Sequence, residues 1–253
     1  MENSEKISAL AITLNEADNI QAYIESLWFA DEIIIVDSFS TDGTVEIAKK
    51  NEKVKIFQRP FQNFSDQKNF AISQAKNDWV TFFDPDEEIT NELANEIVKT
   101  VTNPKAIGYF IKRDYYFMGK LLKYSGIQND YIIRLFNKKH CRYNSNLVHE
   151  LLIADGKTLR LKNHLPHHTY KTFDDYTAKM HHYSQLQSVM LYEKGIKPTL
   201  YHFFFRPFYR FGYQFFFRLG LLDGKEGFIL AYLNAFSVFK RYVNLWLLYR
   251  KID

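Results

Sequence analysis

Cysteine is nearly absent from this chain, since Cys141 is the only one among its 253 residues. An internal disulfide is therefore excluded, the composition fits a reducing compartment, and Cys141 is interpreted as a small buried apolar residue. No segment approaches the ~20 uncharged apolar residues that a membrane span needs. The first residues combine Glu2 and Glu5 with only a short apolar run, so no signal peptide is expected.

Glycine is missing where a phosphate-binding loop would stand. The first predicted strand is followed by Leu14-Asn15-Glu16-Ala17, which lacks the glycine spacing that lets a backbone cradle a phosphate. This argues against a dinucleotide enzyme. It also argues against a sugar nucleotidyltransferase, an enzyme class that combines a parallel sheet with acidic metal ligands.

Charge is distributed unevenly along the chain, although the net charge is only +4. Residues 194–253 hold ten lysines and arginines and three acids, a net charge of +7, so residues 1–193 carry −3. At this length we expect one large domain or one domain with an extension. The asymmetry predicts an acidic body over 1–193 and a basic, aromatic extension over 194–253 with a separate role.

The first half alternates short apolar runs with amphipathic segments. Strands are predicted at 7–14, 33–36, 54–57 and 79–83, and helices at 17–30, around Val45 and Ala48, from a cap at Ser65 to about 76, and at 90–101. This order predicts an α/β fold with a mixed, mainly parallel sheet and helices on both faces. Further strands are predicted at 108–112 and 131–136, and a helix at 174–193.

Acidic residues follow several of these strands at the edge where parallel sheets bind ligands. Asn15-Glu16 follows the first strand, Asp37 the second, and Asp84-Pro85-Asp86-Glu87 the fourth. Two aspartates one residue apart can direct oxygens at one Mg²⁺ or Mn²⁺ that keeps positions open for substrate phosphates. The alternative is that the acids stabilise the first turn of the next helix. The convergence favours a nucleotide pocket.

Taken in order, these segments resemble the family 2 glycosyltransferases, which are inverting enzymes with the GT-A fold. The resemblance rests on Thr13-Leu14-Asn15-Glu16, residues 31–38, Ser40-Thr41-Asp42-Gly43-Thr44, Gln67-Lys68-Asn69 and Asp84-Pro85-Asp86-Glu87. Residues 131–136, Val148-His149-Glu150 and 220–228 resemble the lipopolysaccharide-core β-1,4-glucosyltransferase-like branch. The resemblance implies a GT-A catalytic domain over 1–193, with a nucleotide-sugar half (1–103) and an acceptor half (104–193).

Two positions depart from the pattern of that branch. Pro85 stands where an alanine is usual, which stiffens the loop without removing a ligand. Ile127 follows Gly126 where the branch commonly has an aromatic residue, so the acceptor specificity is expected to differ.

For the donor, the resemblance implies that Asp37 contacts the uracil or ribose, with Thr13, Asn15 and Glu16 in the same pocket. Lys68 and Asn69 would lie nearby. A carboxylate accepts hydrogen bonds from base N–H and ribose hydroxyl groups, which fits this role. The alternatives are that Asp37 caps a turn and that Lys68 and Asn69 form a solvated helix face.

For the metal, the resemblance implies that Asp84 and Asp86 place Mn²⁺ or Mg²⁺ against the diphosphate, and Asp84 could instead contact ribose. His167 or His168 would complete the metal shell, or else be structural.

For the base, an inverting transfer needs a group that takes the proton of the acceptor hydroxyl. Glu150 is the candidate and Asp130 the second choice; a surface carboxylate is the alternative for Glu150. Arg134 would bind phosphate, orient Glu150 or form a structural ion pair.

The extension is rich in aromatic residues interrupted by arginines. Residues 201–218 hold eleven phenylalanines and tyrosines together with Arg206, Arg210 and Arg218. This is typical of a helix lying in a membrane interface, and 228–249 predicts a second one. The alternatives are packing on the catalytic domain or a dimer interface. No nucleic-acid-binding module is recognisable.

The predicted function is therefore metal-dependent sugar transfer from a nucleotide donor, UDP-sugar favoured, to a glycan or glycolipid of a bacterial surface polysaccharide. The predicted location is the cytoplasmic face of the inner membrane, in peripheral contact with it. A non-catalytic membrane-surface scaffold with the same fold is the alternative from another class. The sequence determines neither the sugar, the acceptor nor the oligomeric state.

Overall fold

The computed structural model of this protein describes residues 5–144, 151–167 and 172–252. The chain divides into two compact units. Unit 1 comprises Met1–Arg113 and Asp130–His167, and unit 2 comprises Asp114–Asn129 and His168–Asp253. This division differs from the predicted boundary at residue 194, because 114–129 and the helix that ends before residue 194 belong to unit 2.

Unit 1 is built from alternating strands and helices followed by a set of further strands. Its first half contains β1 (Ile7–Thr13), α1 (Ala17–Ser26), β2 (Glu32–Asp37), α2 (Thr44–Ala48), β3 (Val54–Gln58), α3 (Phe64–Gln74), β4 (Trp79–Phe82) and α4 (Asn91–Thr102). The strands that follow in the chain are β5 (Gly108–Phe117), β6 (Lys120–Leu121), β7 (Tyr131–Asn137), β8 (Cys141–Tyr143), β9 (Leu152–Ala154) and β10 (Thr158–His167). Of these, β6 and the end of β5 belong to unit 2. Each predicted strand and helix of the first half is present.

Eight of the described strands form a mixed sheet, and β8 and β9 form a separate two-stranded one. The order in the eight-stranded sheet is β10-β5-β7-β4-β1-β2-β3, with β6 paired to β5. Strands β3, β2, β1 and β4 run parallel, whereas β7 is antiparallel to both β4 and β5. Strands β1 and β2 contribute side chains to two separate buried clusters, so both of their faces are covered. This explains why their sequences are nearly continuous apolar runs. The predicted mainly parallel sheet flanked by helices is confirmed.

The register of the parallel strands brings their carboxyl ends to one edge. Thr13, the last residue of β1, pairs with Asp37, the last residue of β2. The loop after β4 opens at the same edge, because β4 is the other parallel neighbour of β1. The topology therefore collects the three acidic loops that the sequence singled out.

The start of α3 corrects one sequence prediction. Ser65 was expected to cap this helix, but the side chain of Asn63 accepts the hydrogen bond from the Asp66 N–H at 2.9 Å. The helix begins at Phe64, and Ser65 is buried within its first turn. Asparagine and serine are both good N-caps, so residue type alone does not choose between two nearby candidates.

Unit 2 consists mainly of helices. They are α5 (Phe173–Glu193), α6 (Leu200–Phe203), α7 (Phe205–Gly212), a π-helical segment (Tyr213–Phe217), a 3₁₀ turn (Gly220–Asp223) and α8 (Lys225–Arg250). Helix α5 packs along α8, where the hydroxyl oxygens of Ser184 and Ser237 lie 3.1 Å apart. A buried cluster holds the unit together, formed by Phe117, Leu122, Tyr176, Leu230 and Leu233.

The aromatic segment 201–218 is not the single regular helix that its composition suggested. It is divided among α6, α7 and the π-helical segment. Pro207 gives a physical reason for the break after Phe203, because proline has no N–H to donate to the carbonyl four residues earlier. Helix α8 matches the predicted second helix at 228–249 and begins three residues earlier.

Two glycines allow the 3₁₀ turn to pack against the start of α8. A Cβ added at Gly227 would lie 2.0 Å from the carbonyl oxygen of Gly220, so no larger residue fits there without displacing the backbone.

Within the described ranges, none of the helices has both the length and the apolar character needed to cross a bilayer.

Candidate active site

A buried arginine joins two carboxylates just after β4. Arg134 lies in β7, and its Nη2 is 2.5 Å from both Asp84 Oδ2 and Glu87 Oε1. The backbone N–H of Asp84 donates to Glu87 Oε2 at 3.0 Å. The side chain of Glu87 is fully buried, whereas that of Asp84 is 34% exposed. The arginine and Glu87 therefore form an internal support that presents the Asp84 carboxylate to the outside.

The antiparallel pairing of β4 with β7 fixes this arrangement. Thr81 is in register with Leu135, and the Thr81 hydroxyl donates to the carbonyl oxygen of Arg134 at 3.0 Å. This pairing brings Arg134 of β7 next to the loop that follows β4. The acidic loop after β4 is held by a strand that lies about 50 residues later in the sequence.

The charges around Arg134 shift the two carboxylates in opposite directions. Burial opposes ionisation of Asp84, but the positive charges of Arg134 and Lys68 outweigh it and hold the pKa of Asp84 below its usual range. Burial raises the pKa of Glu87 to about 7, although Arg134 opposes that shift. Asp84 is thus the ionised partner that faces the exterior.

Asp37 is buried, and the chain itself occupies its carboxylate. Its oxygens accept hydrogen bonds from the hydroxyl of Thr13 (3.0 Å), from Nε2 of Gln58 (3.1 Å), and from both the N–H (2.9 Å) and the hydroxyl of Ser40. Burial raises the pKa of this group, but these hydrogen bonds outweigh it and lower the pKa. Asp37 therefore organises the loop after β2, and a donor nucleotide would have to exchange one of these bonds to reach it.

The loops after β1 and β2 are tied directly to each other. Asn15, in the left-handed backbone region at φ 57°, donates its N–H to the Ser40 hydroxyl at 2.8 Å. Its side-chain oxygen accepts from the Thr41 N–H at 2.9 Å. The N–H of Glu16 donates to the Thr44 hydroxyl at 2.8 Å. Thr13, Asn15, Glu16 and Asp37 are thus brought together as predicted, while their roles toward a ligand stay predictions.

Glu16 extends this cluster toward the loop after β4. Its carboxylate accepts from Asn19 Nδ2 at 2.8 Å. Burial raises the pKa of Glu16, and the nearby negative charges of Asp86, Asp42 and Asp84 add to the increase. Because carboxylates outnumber cations beside Glu16, binding of a cation at this edge of the sheet would be favourable.

A cavity of about 390 Å³ opens beside Asp84 in unit 1. Its charged lining consists of Lys68, Arg113 and Arg134 with Asp84 as the one carboxylate, and it is completed by Phe110, Tyr131, Ile132, Ile133, Tyr143, Leu151 and Leu152. This volume lies within the range of small-molecule sites. Lysine and arginine side chains in the lining suit an anionic ligand such as a diphosphate, while Asp130 and Glu87, outside the lining, pair with Arg113 and Arg134.

Two predicted site residues have structural partners instead of an open position. Asn69 fastens α3 to β8, because its side chain both donates to the Tyr143 carbonyl and accepts from the Tyr143 N–H, each at 3.0 Å. Asp130 forms a two-point ion pair with Arg113 at 2.9 and 3.0 Å. Glu150 and His168 lie outside the described residues.

The predicted metal ligands are close enough to interact electrostatically. His167 pairs with Glu87 through an isolated β-bridge. Burial lowers the pKa of His167, and the charge of Asp86 partly opposes this shift. A neutral imidazole and the exposed carboxylate of Asp86 are suitable donors for Mn²⁺.

The described residues do not supply a complete metal shell. Among residues 5–144, 151–167 and 172–252, no three His, Cys, Asp or Glu side chains are grouped to hold an ion. This is compatible with Mg²⁺ or Mn²⁺, because such ions bind through one or two carboxylates and complete their shell with water and substrate phosphates. The acidic edge thus fits a metal that arrives with its nucleotide.

Sequence reasoning missed two residues of this site. Sequence reasoning assigned Glu87 no site role, only the alternative of stabilising the first turn of the next helix, but Glu87 is buried beside Arg134. Its only signal was that it is a third acid in the motif that follows β4. Arg113 lines the cavity and holds Asp130. Its signal was its position directly after the predicted strand 108–112, which does not reveal its partner 17 residues later.

Known sequences similar to this chain include glycosyltransferases. Residues 8–160 match the family model described as "Glycosyl transferase family 2". A protein of Rickettsia bellii named an uncharacterized glycosyltransferase is 30% identical over 255 residues, which cover 96% of this chain and 86% of that protein. The lipopolysaccharide core biosynthesis glycosyltransferase LpsC of Rhizobium meliloti is 27% identical over 251 residues, 93% of each chain.

Comparison with solved structures agrees on the fold. The crystal structure of S. aureus TarS 1-349 in complex with UDP aligns with a TM-score of 0.50 at 15% identity. The alignment covers 97% of this chain and 91% of that one. The predicted GT-A fold is therefore confirmed.

Proposed function

This chain belongs to glycosyl transferase family 2, and from that membership we propose the reaction that it performs. It transfers a hexosyl group from a UDP-sugar to a hydroxyl of a glycan or glycolipid acceptor, with inversion. The cavity that joins Lys68, Arg113 and Arg134 to Asp84 carries the proposal. Lys68 and Arg113 would stabilise the negative charge that develops on the departing diphosphate. Family membership favours this reaction over nucleotidyl transfer and over a scaffold.

The nucleoside would bind at the edge formed by the loops after β1 and β2. Thr13, Asn15, Glu16 and Asp37 are assigned to this part of the donor site. Their mutual hydrogen bonds hold the two loops in one arrangement before the donor arrives, which lowers the cost of ordering them on binding.

We assign Asp86 and His167 to the divalent ion, with Asp84 as a further ligand or a ribose contact. When bound, Mn²⁺ or Mg²⁺ would neutralise charge on the leaving diphosphate. Arg134 and Glu87 position Asp84, and Lys68 adds a cation on the cavity wall.

Glu150 remains the first candidate for the base that takes the acceptor proton. Asp130, the second candidate, would first have to leave Arg113, which holds both of its oxygens. Arg134 is already engaged by Asp84 and Glu87, which favours its ion-pair role over orienting Glu150.

A donor-binding experiment tests this proposal. We expect UDP with Mn²⁺ to raise the thermal unfolding midpoint, and UDP without the metal, GDP or CMP to raise it less. A ligand at 100 times its dissociation constant stabilises the folded state by about 2.7 kcal/mol. Differential scanning fluorimetry measures the shift. A chain that responds to no nucleotide, with or without Mn²⁺, would contradict the donor assignment.

We propose that the acceptor is a lipid-linked surface glycan, as the lipopolysaccharide-core relative suggests, and that unit 2 contacts the cytoplasmic face of the inner membrane. Exposed aromatic side chains on and after α7 support the contact, above all Phe208 and Phe217, which are 74% and 79% exposed. Arg206 of α7 would meet anionic headgroups.

Removing one exposed ring should weaken membrane binding. We expect Phe208→Ser and Phe217→Ser each to reduce partitioning onto phosphatidylglycerol vesicles about ten-fold, because burying a phenylalanine contributes about 1.5–3 kcal/mol. Vesicle sedimentation measures the partitioning. Trp28→Ser, which removes an exposed ring from unit 1, is the control and should bind as the wild type does.

If both variants bind vesicles normally, the membrane assignment is wrong. A simultaneous loss of self-association, measured by analytical ultracentrifugation, would then identify the aromatic surface as a subunit interface.

A further inference from the structure

Unit 2 contains a second polar cavity, which no step of the proposed reaction uses. It has a volume of about 380 Å³, and its lining includes Arg210, Arg218, Tyr213, Gln214 and Asn234. No aspartate or glutamate lines it. Neither arginine forms an ion pair with another residue of the described ranges. The cavity therefore has a net positive wall.

The acids of this region are already committed elsewhere. Asp223 is buried, and its carboxylate accepts from the N–H groups of Lys123 (2.9 Å) and Tyr124 (3.1 Å) and from the Ser125 hydroxyl (2.7 Å). Glu226 pairs with Lys120 at 2.7 Å. Because these two acids fasten the loop 120–125, they do not pair with Arg210 or Arg218.

The wall that carries Arg218 is held in place. Its Nε donates to the Tyr213 hydroxyl at 3.0 Å, and its carbonyl oxygen accepts from Gln128 Nε2 at 3.1 Å. Gly126, at φ +94°, brings the loop against the Arg218 stem, where an added Cβ would lie 3.6 Å from the side chain. The guanidinium is thus oriented with terminal N–H groups left to meet a ligand.

The floor of the cavity is polar and preorganised. Buried Gln214 donates to the Ser125 carbonyl at 3.2 Å and accepts from Asn234 Nδ2 at 2.9 Å. Tyr115, Tyr176 and Tyr213 add aromatic surface. Aromatic rings with polar groups and a cationic wall suit a sugar that carries an anionic group.

We propose that this cavity binds a phosphate- or carboxylate-bearing sugar of the acceptor. Only the identification of the ligand as the acceptor rests on the proposed function. The anion-binding site itself follows from the residues of the cavity. Arg210 and Arg218 would bind the anionic group, and the tyrosines would contact the sugar ring. The acceptor would thus be selected by a charged substituent as well as by its reacting hydroxyl.

Calorimetric titration of the full chain, presaturated with UDP and Mn²⁺ to fill the unit 1 cavity, tests the proposal. Glucose 6-phosphate and glucuronate are the probes, with glucose as the uncharged reference. We expect at least one charged sugar to bind ten-fold or more tightly than glucose. Arg210→Gln and Arg218→Gln should each weaken that binding about 10- to 100-fold, because hydrogen bonds between charged groups are strong.

Arg250→Gln, which removes an exposed arginine of α8, is the matched control and should bind the probe normally. Both cavity variants should keep the wild-type urea midpoint and UDP–Mn²⁺ affinity. Equal binding of charged and uncharged sugars, or unchanged binding in both variants, overturns the site. If Arg210 and Arg218 bind phosphatidylglycerol vesicles but neither glucuronate nor glucose 6-phosphate, the arginines are assigned to lipid headgroups and the proposal is also overturned. If the wild type does not bind UDP but does bind a charged sugar, the donor assignment is wrong and the anion site stands.

Discussion

Arg134→Met is expected to lower the free energy of unfolding by about 3–5 kcal/mol, because removing one partner of a buried ion pair leaves an uncompensated charge. The loss falls mainly on Glu87, whose fully buried carboxylate must then stay charged without a partner or take up a proton. Asp84 is partly exposed and can regain water. Urea denaturation at pH 8 measures the loss. Arg142→Met, at an exposed position of β8, is the control and should change stability little.

The pH dependence of that loss identifies its cause. The folded-state pKa of Glu87, about 7, lies above the ~4.3 of an unfolded glutamate. Protonation therefore favours the folded state, and removing Arg134 strengthens this preference because the arginine lowers the pKa. We expect the destabilisation to be smaller at pH 5.5 than at pH 8. The double variant Arg134→Met, Glu87→Gln should recover much of the loss. A pH-independent loss without recovery would place the effect in packing.

Asp86→Asn is expected to reduce the transfer rate about a thousand-fold while the fold stays intact. The expected loss corresponds to about 4 kcal/mol of transition-state stabilisation, the scale of a lost metal-ion contribution. Asp86 is exposed, so its replacement removes no buried charge. Release of UDP from a UDP-sugar in the presence of acceptor and Mn²⁺ measures the rate, and circular dichroism checks the fold.

Glu46→Gln removes an exposed carboxylate from α2 and is the control for Asp86→Asn. It should keep the wild-type rate. The Mn²⁺ concentration that gives half-maximal activity should rise in Asp86→Asn but not in Glu46→Gln. Full activity of Asp86→Asn at the wild-type Mn²⁺ requirement would exclude Asp86 as a metal ligand.

The order of strands and helices was accessible from the sequence because their apolar patterns are local. The run at 79–83 and the paired aspartates after it already indicated the edge of the candidate site. Local signals were less informative where two solutions have similar energies. Ser65 and Asn63 are both acceptable caps, and the structure uses Asn63. The aromatic segment 201–218 has a helical composition throughout, but Pro207 lies inside it.

The partners of the charged residues were not accessible in the same way. Asp130 and Asn69 fit a substrate site by position, but each binds another part of the chain, Arg113 and Tyr143 respectively. Asp37 fits a nucleotide contact, and its carboxylate is occupied by four hydrogen bonds from its own unit. A carboxylate satisfied by the protein and one directed at a ligand have the same sequence signature.

The sequence by itself determined the α/β class, the family and the edge of the sheet that carries the acidic loops, because hydrophobic period and motif order are local properties of the chain. Only the tertiary structure decided which carboxylates are supported, which are exposed and which arginines lack an acid. Those outcomes depend on strand pairing between distant segments, as when β7 brings Arg134 to Asp84 and Glu87. A charge acquires its role from burial and from its partners, and the fold supplies both.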